Sequence, residues 1–245
     1  MQHEITQAIP LLDEQGELTQ PGWARRLLPV YDRSKVRGGP LRLKERDCYL
    51  VMNRQCALAL TISDNRYMGM DSISLIDLWE GWQVTRSPMR LMPLGGTGLP
   101  QSSLRGSCAR AGRGYGLLFQ HEGEGRTLHA HMDRFRDGQA LDAQILLTQE
   151  PEESIVMCTP FEKPGQFYFN QKINCMRAQG KVTLGDREYV FDPEDSFAVL
   201  DWGRGVWTCR GTWYWGSASG MVDGVPFGFN IGYGFGDTSA ATENA

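Results

Sequence analysis

The amino-acid sequence predicts an all-β protein, a barrel or a sandwich. Three observations carry this reading. Apolar runs of strand length recur at about ten-residue spacing, separated by polar turn clusters. Outside the first 40 residues no amphipathic helix of useful length emerges. Residues 227–236 alternate strictly, with Phe227, Phe229, Ile231, Tyr233 and Phe235 on one face and Gly228, Asn230, Gly232, Gly234 and Gly236 on the other.

The elements follow in order. Residues 1–40 read as an extended arm, because Pro10, Gly16, Pro21, Gly22, Pro29, Gly38, Gly39 and Pro40 break it too often for a long helix. Strands are expected at Cys48–Met52, Ala57–Ser63 and Tyr67–Leu78, then a loop at Leu91–Pro100 around Gly95-Gly96-Thr97-Gly98. Further strands are expected at Ser103–Ala109, Tyr115–His121, Thr127–Phe135, Ala140–Leu147 and Ser154–Thr159. Pro160–Gly165 reads as a seam. In Phe167–Met176, Tyr168, Asn170, Lys172 and Asn174 share one face and Phe167, Phe169, Ile173 and Cys175 the other. Gly185-Asp186 suits the tight turn of a hairpin between Lys181–Leu184 and Arg187–Phe191. The next strand, Ser196–Asp201, sets Phe197, Val199 and Asp201 on one side. An acid in line with apolar side chains needs a hydrogen-bond partner or a proton.

Bulk properties exclude several classes. With 25 basic and 29 acidic residues in 245, the net charge is −4, so no electrostatic footprint for nucleic acid exists. Residues 1–30 hold no continuous apolar segment, so neither a signal peptide nor a membrane span is expected. Six scattered cysteines without a CxxC pair suit reduced thiols in a cytoplasmic protein. Gly95-Gly96-Thr97-Gly98 is not followed by Lys-Ser or Lys-Thr, so it is no phosphate-binding loop. The run 232–236 lacks dinucleotide spacing, and no G-x-S-x-G nucleophile elbow occurs. No cofactor is expected.

The candidate site centres on residues 197–237, where four of the seven tryptophans fall between Trp202 and Trp215 and no Lys or Arg follows Arg210. Asp201 with Arg204 reads either as an acid whose neighbour tunes it and holds an anionic group, or as an ion pair fixing a turn. Trp202, Trp207, Trp213 and Trp215 line a pocket or form core, and Trp213 and Trp215 share a face. Asn170, Lys172, Asn230 and Tyr233 complete the candidate ligand-binding set. The glycine face of 227–236 requires a close neighbour, either a tryptophan ring, a crossing strand or a ligand. His129, His131 and Asp133 point one way from their strand, but without a second cluster a solvated face is expected and no metal.

These residues carry a resemblance. Phe167-Tyr168-Phe169-Asn170-Gln171-Lys172-Ile173-Asn174, Leu200-Asp201-Trp202-Gly203-Arg204-Gly205, Trp213-Tyr214-Trp215-Gly216 and Gly236-Asp237-Thr238-Ser239 with Glu243-Asn244 are similar to the bacterial family known as domain of unknown function 2804. Gly22-Trp23-Ala24-Arg25 and Gly95-Gly96-Thr97-Gly98-Leu99-Pro100 fit it too. More remotely, the order of strand, hairpin, Asp-Trp-Gly and Trp-x-Trp resembles lipocalin-like (calycin) proteins of the carotenoid hydratase and tocopherol cyclase type. That resemblance implies two antiparallel β-barrels in tandem, with 41–165 as the first domain, 166–245 as the second and 1–40 as the arm. It also implies an intracellular protein that binds a hydrophobic, lipid- or isoprenoid-like molecule, with acid-catalysed chemistry at Asp201. The polar surroundings of the hydratase acid are replaced here by Trp202, Gly203 and Arg204. Relatives in the resemblance continue past Ala245, which would leave the second barrel incomplete, Phe227–Phe235 at its edge, and a homodimer through that edge. The other reading is a non-catalytic structural or protein-interaction module.

Overall fold

The structure, a computed structural model, describes residues 2–242; Glu243-Asn244, part of the resemblance, lie outside the described residues. The N-terminal segment forms β1 (Ile9–Pro10), β2 (Gly22–Ala24), β3 (Pro29–Val30) and a short 3₁₀ turn at Arg33–Lys35. Then come β4 (Lys44–Met52), β5 (Cys56–Asp64), β6 (Met68–Asp77), β7 (Trp82–Arg86) and β8 (Met89–Leu91). They are followed by β9 (Gly106–Gly112), β10 (Tyr115–His121), β11 (Arg126–Arg136), β12 (Gln139–Thr148) and β13 (Ile155–Pro160). The last five are β14 (Phe167–Leu184), β15 (Arg187–Phe191), β16 (Phe197–Val206), β17 (Tyr214–Val222) and β18 (Val225–Tyr233). The all-β expectation holds.

One antiparallel sheet runs β7-β6-β5-β4-β16-β14-β12-β11-β10-β9, with β13, β2, β15 and β8 attached to it. The strand β14 makes this path possible. Its first half lies between β13 and β16, and its second half between β12 and β15. The switch falls at a bulge between Ile173 and Met176, where Cys175 takes a left-handed backbone (φ 60°). The strands expected at Phe167–Met176 and Lys181–Leu184 leave Ala178-Gln179-Gly180 unassigned. In fact these residues pair with Leu147, Leu146 and Ile145, so the ladder carries the strand through.

Three expectations can be set beside the structure. The two barrels are not closed: no strand ladder joins β7 to β11 among the described residues. Those strands meet only through side chains, with Arg86 Nε donating to the Phe135 carbonyl (2.8 Å) and Arg136 3.8 Å from the Trp82 ring. The boundary at 165 is not a seam in the hydrogen bonding, because β4 pairs with β16, and β12 and β13 pair with β14. The N-terminal arm, residues 1–40, packs on the rest of the chain. Ile5, Leu11, Leu12 and Tyr31 are buried in the common core, and β2 adds to β13.

The two faces of the central strands have opposite characters, as period-two geometry dictates. Leu200, Tyr49 and Leu60 are register partners on one face, and Trp202, Asp47 and Ile62 follow them. This face packs against Ile73, Leu128, Ile145 and Phe169 in one dry core, where each buried Leu, Ile or Phe contributes about 1.5–3 kcal/mol. The reverse face presents Asp201, Cys48 and Thr61 in register. The hairpin β17–β18 forms its own two-stranded sheet and lies over part of that reverse face.

Gly180 tests the central role of β14. Its φ is +143°, and a Cβ there would overlap the Gln144 carbonyl oxygen. Gly180→Ala is expected to lower the urea unfolding free energy by about 2–3 kcal/mol, through backbone strain and local overpacking. A wild-type unfolding midpoint would refute this account of the bend.

Candidate functional site

The site is assembled from β4, β14 and β16, whose register sets Lys172 opposite Asp201 and Asp201 opposite Cys48. Asp201 is buried. Its Oδ1 accepts from Lys172 Nζ (2.8 Å) and Asn170 Nδ2 (2.7 Å), and its Oδ2 accepts from Arg46. The Asn170 amide also donates to the Tyr168 hydroxyl (2.7 Å) and the Trp202 carbonyl (2.9 Å). Its nitrogen must face Asp201, since an amide oxygen there would oppose a carboxylate. Lys172 lies under the Trp215 ring, 4.4 Å from its centroid.

Burial pushes the Asp201 carboxyl up. Arg46, then Lys172 and Asn170, outweigh it and hold the group below the usual carboxylate range. Arg46 is correspondingly raised by Asp201. Asp201 is therefore an anion at neutral pH, with no proton to give. The proton-donor role implied by the resemblance does not suit this environment.

A cleft of about 200 Å³ opens beside this cluster, lined by Lys44, Arg46, Tyr168, Trp207, Trp213 and Phe235 among others. Tyr168 and Phe235 meet edge to face (centroids 4.7 Å apart), and Trp207 and Trp213 lie 5.8 and 5.0 Å from Phe235. Asp201 does not line the cleft but touches it through Arg46. Lys44 stands over the Trp207 ring at 5.0 Å and donates to the Thr208 carbonyl (3.2 Å).

The expected residues therefore separate into groups. Asp201, Asn170 and Lys172 come together, with Trp215 as their cover, and Trp207 and Trp213 line the adjoining cleft. Arg204 does not join them. It is three positions from Asp201 on one strand and faces the opposite way, into the core. There it pairs with Asp47 (2.8 Å), donates to the Pro100 carbonyl (2.7 Å) and stands over Trp202 at 4.2 Å. Trp202 is core, packed edge to face on Phe169. Asn230 fastens the hairpin to β14, donating to Asn174 Oδ1 (2.6 Å) and accepting from Trp215 Nε1 (3.2 Å). Tyr233 points outward and stacks on Tyr214.

The glycine face does meet a close neighbour, and it is β14: a Cβ at Gly228 would come within 2.8 Å of both Asn174 Cβ and Cys175 Sγ. Phe235 lies beyond the end of β18 and turns into the cleft, away from the face it was expected to share. His131 bonds Asp142 (2.7 Å) and Asp133 (2.8 Å) on an exposed face. No cluster of three His, Cys, Asp or Glu side chains fit for a metal occurs among the described residues. No helix is long and apolar enough to cross a membrane among the described residues. Sequence reasoning missed Arg46, Lys44 and Phe235 as site residues. The alternation Lys44, Arg46, Cys48 was a usable signal, but the strand was expected to start at Cys48.

The family described as "Domain of unknown function (DUF2804)" matches residues 2–245. No curated protein matches. Similar solved structures include a Nitrosomonas europaea protein described as AttH, with 11% identity, TM-score 0.44, and coverage of 82% of this chain and 68% of that one. CghA with Sch210972 shows 11% identity, TM-score 0.40, and coverage of 93% and 67%. Kievitone hydratase from Nectria haematococca shows 10% identity, TM-score 0.38, and coverage of 86% and 61%, so the chain spans about three fifths of that enzyme's length.

Asp201→Asn removes the carboxylate that Arg46 and Lys172 share, and is expected to cost about 3 kcal/mol. That is the low end for a broken buried pair, since the Arg46 side chain is 31% exposed. Because the native carboxyl is lowered, its contribution is complete above the unfolded-state value of about 3.9 and fades as pH drops through the native one. Urea unfolding of both proteins should show a constant gap from about pH 7 to about pH 5 that shrinks below about pH 4. A gap that grows on acidification would show that Asp201 is not held as an anion.

Proposed function

The chain belongs to the domain of unknown function 2804 family, and on that footing we propose that it binds a hydrophobic small molecule in the cleft between the central sheet and the hairpin. One observation carries the proposal: Tyr168, Trp207, Trp213 and Phe235 form an aromatic wall around an open space of about 200 Å³. A cleft lined mostly by aromatic side chains with a few polar groups is the kind of concavity that takes a small molecule, which supports the reading. In this reading Asp201, with Lys172 as its second partner outside the cleft, orders Arg46 at the base of the cleft. It is a positioning residue, and protonation of a double bond is not its task.

The test uses the neutral fluorophore N-phenyl-1-naphthylamine. It should bind with enhanced emission, and Trp213→Ala, which removes one partly exposed ring of the wall, should weaken binding about tenfold. Unchanged binding in the variant would place the probe elsewhere and defeat the proposal.

A second reading, an interaction module, is favoured by the outward face of the hairpin. Tyr214, Phe227, Phe229, Ile231 and Tyr233 are all exposed there, beside Gly216, Ala218 and Gly220. Analytical ultracentrifugation should then show association that Phe229→Ser with Ile231→Thr abolishes. A wild-type protein that stays monomeric at high concentration would exclude this reading.

A further inference from the structure

The charge on the cleft wall narrows the ligand class. Among the described residues lining it are two cations, Lys44 and Arg46, and no carboxylate. The nearest acid, Asp201, is already shared by Arg46 and Lys172. Lys44 has no ion pair among the described residues. Its single described hydrogen bond, to the Thr208 carbonyl (3.2 Å), occupies one of three ammonium protons. Arg46 Nε is buried without a hydrogen-bond partner among the described residues. Arg42 adds positive charge nearby, donating to the Trp207 carbonyl (3.3 Å).

A buried cation without an anionic partner is costly, and a half-enclosed site strengthens whatever anion reaches it. From this arrangement we infer that the ligand is an amphipathic anion: a carboxylate, sulfonate or phosphate head seated between Lys44 and Arg46, with an apolar, ring-bearing body against Tyr168, Trp207, Trp213 and Phe235. This rests on the cleft being the ligand site and adds the head group to it. Burial and the neighbouring Arg42 lower Lys44 from its ordinary value, a strain that an arriving anion relieves. The aromatic rings orient the body while the two cations fix which end enters first.

The experiment compares two probes on the full chain, N-phenyl-1-naphthylamine and 8-anilinonaphthalene-1-sulfonate, which share one ring scaffold and differ by the sulfonate. The anionic probe should bind about tenfold more tightly, and its advantage should fall as sodium chloride is raised. Lys44→Gln should remove most of that advantage, read as the ratio of the two probes' affinities, whereas Lys44→Arg should retain it. The advantage should persist in the Phe229→Ser, Ile231→Thr variant, which excludes the outer hairpin face as its source. Equal affinity for both probes, with Trp213→Ala still weakening them, overturns the anion inference and leaves the apolar cleft standing. Failure of both probes to bind overturns both. The wild-type comparison and its salt dependence need no variant, so a Lys44→Gln protein that does not fold leaves the inference open to refutation.

Discussion

The architecture depends on β14 serving two sets of neighbours at once. Eighteen residues long, it gives its first half to β13 and β16 and its second to β12 and β15. The left-handed residue Cys175 and the bulge around it let one strand change direction without ending. This continuity holds Phe169 in the dry core and, one residue on, Asn170 on the reverse face beside Asp201. The polar cluster is thus positioned by the same backbone that organises the core. Its geometry is as rigid as the ladder beneath it.

The cluster itself is an electrostatic arrangement with one anion at its centre. Asp201 draws together side chains from β4 and β14, and the hairpin ring of Trp215 covers Lys172. Lowered from its usual value, the carboxyl stays charged and orients the cations around it. The hairpin is held differently. Among the described residues no ladder joins it to the main sheet, and Asn174 and Asn230 bind it by amide hydrogen bonds (2.8 Å to Ser217, 2.6 Å between the two asparagines). The cationic base of the cleft therefore sits on the main sheet, while Trp213 and Phe235 come from the segments just outside the two hairpin strands.

Much of this was legible in the residues. Alternation located β10 and β15 to the residue, and it set Tyr168, Asn170, Lys172 and Asn174 on one face. Of the two alternatives that the sequence leaves for Asp201, a partner or a proton, the structure has the partner. The partner was not readable, because Arg46 lies 155 positions away and only the β4–β16 register brings it near. Arg204 was assigned to the wrong side for a local reason. Trp202-Gly203-Arg204-Gly205 looked like a turn, whereas the strand runs on to Val206 and three steps along a strand reverse the face. The hairpin strand β17 escaped notice because Gly216, Ser217, Ala218, Ser219 and Gly220 have little strand propensity; pairing with β18 decides their conformation.

The two-faced character of the central strands also bears on how reliably they find their partners. A slip of one residue between β16 and its neighbours would send Asp201 into the hydrocarbon interior and expel Leu200 and Trp202 from it. Most sheets resist such slippage on hydrophobic grounds alone. Here the misaligned pairing would also bury a carboxylate in an apolar medium and leave Arg46 and Lys172 without the anion they share, so mispaired forms are penalised twice.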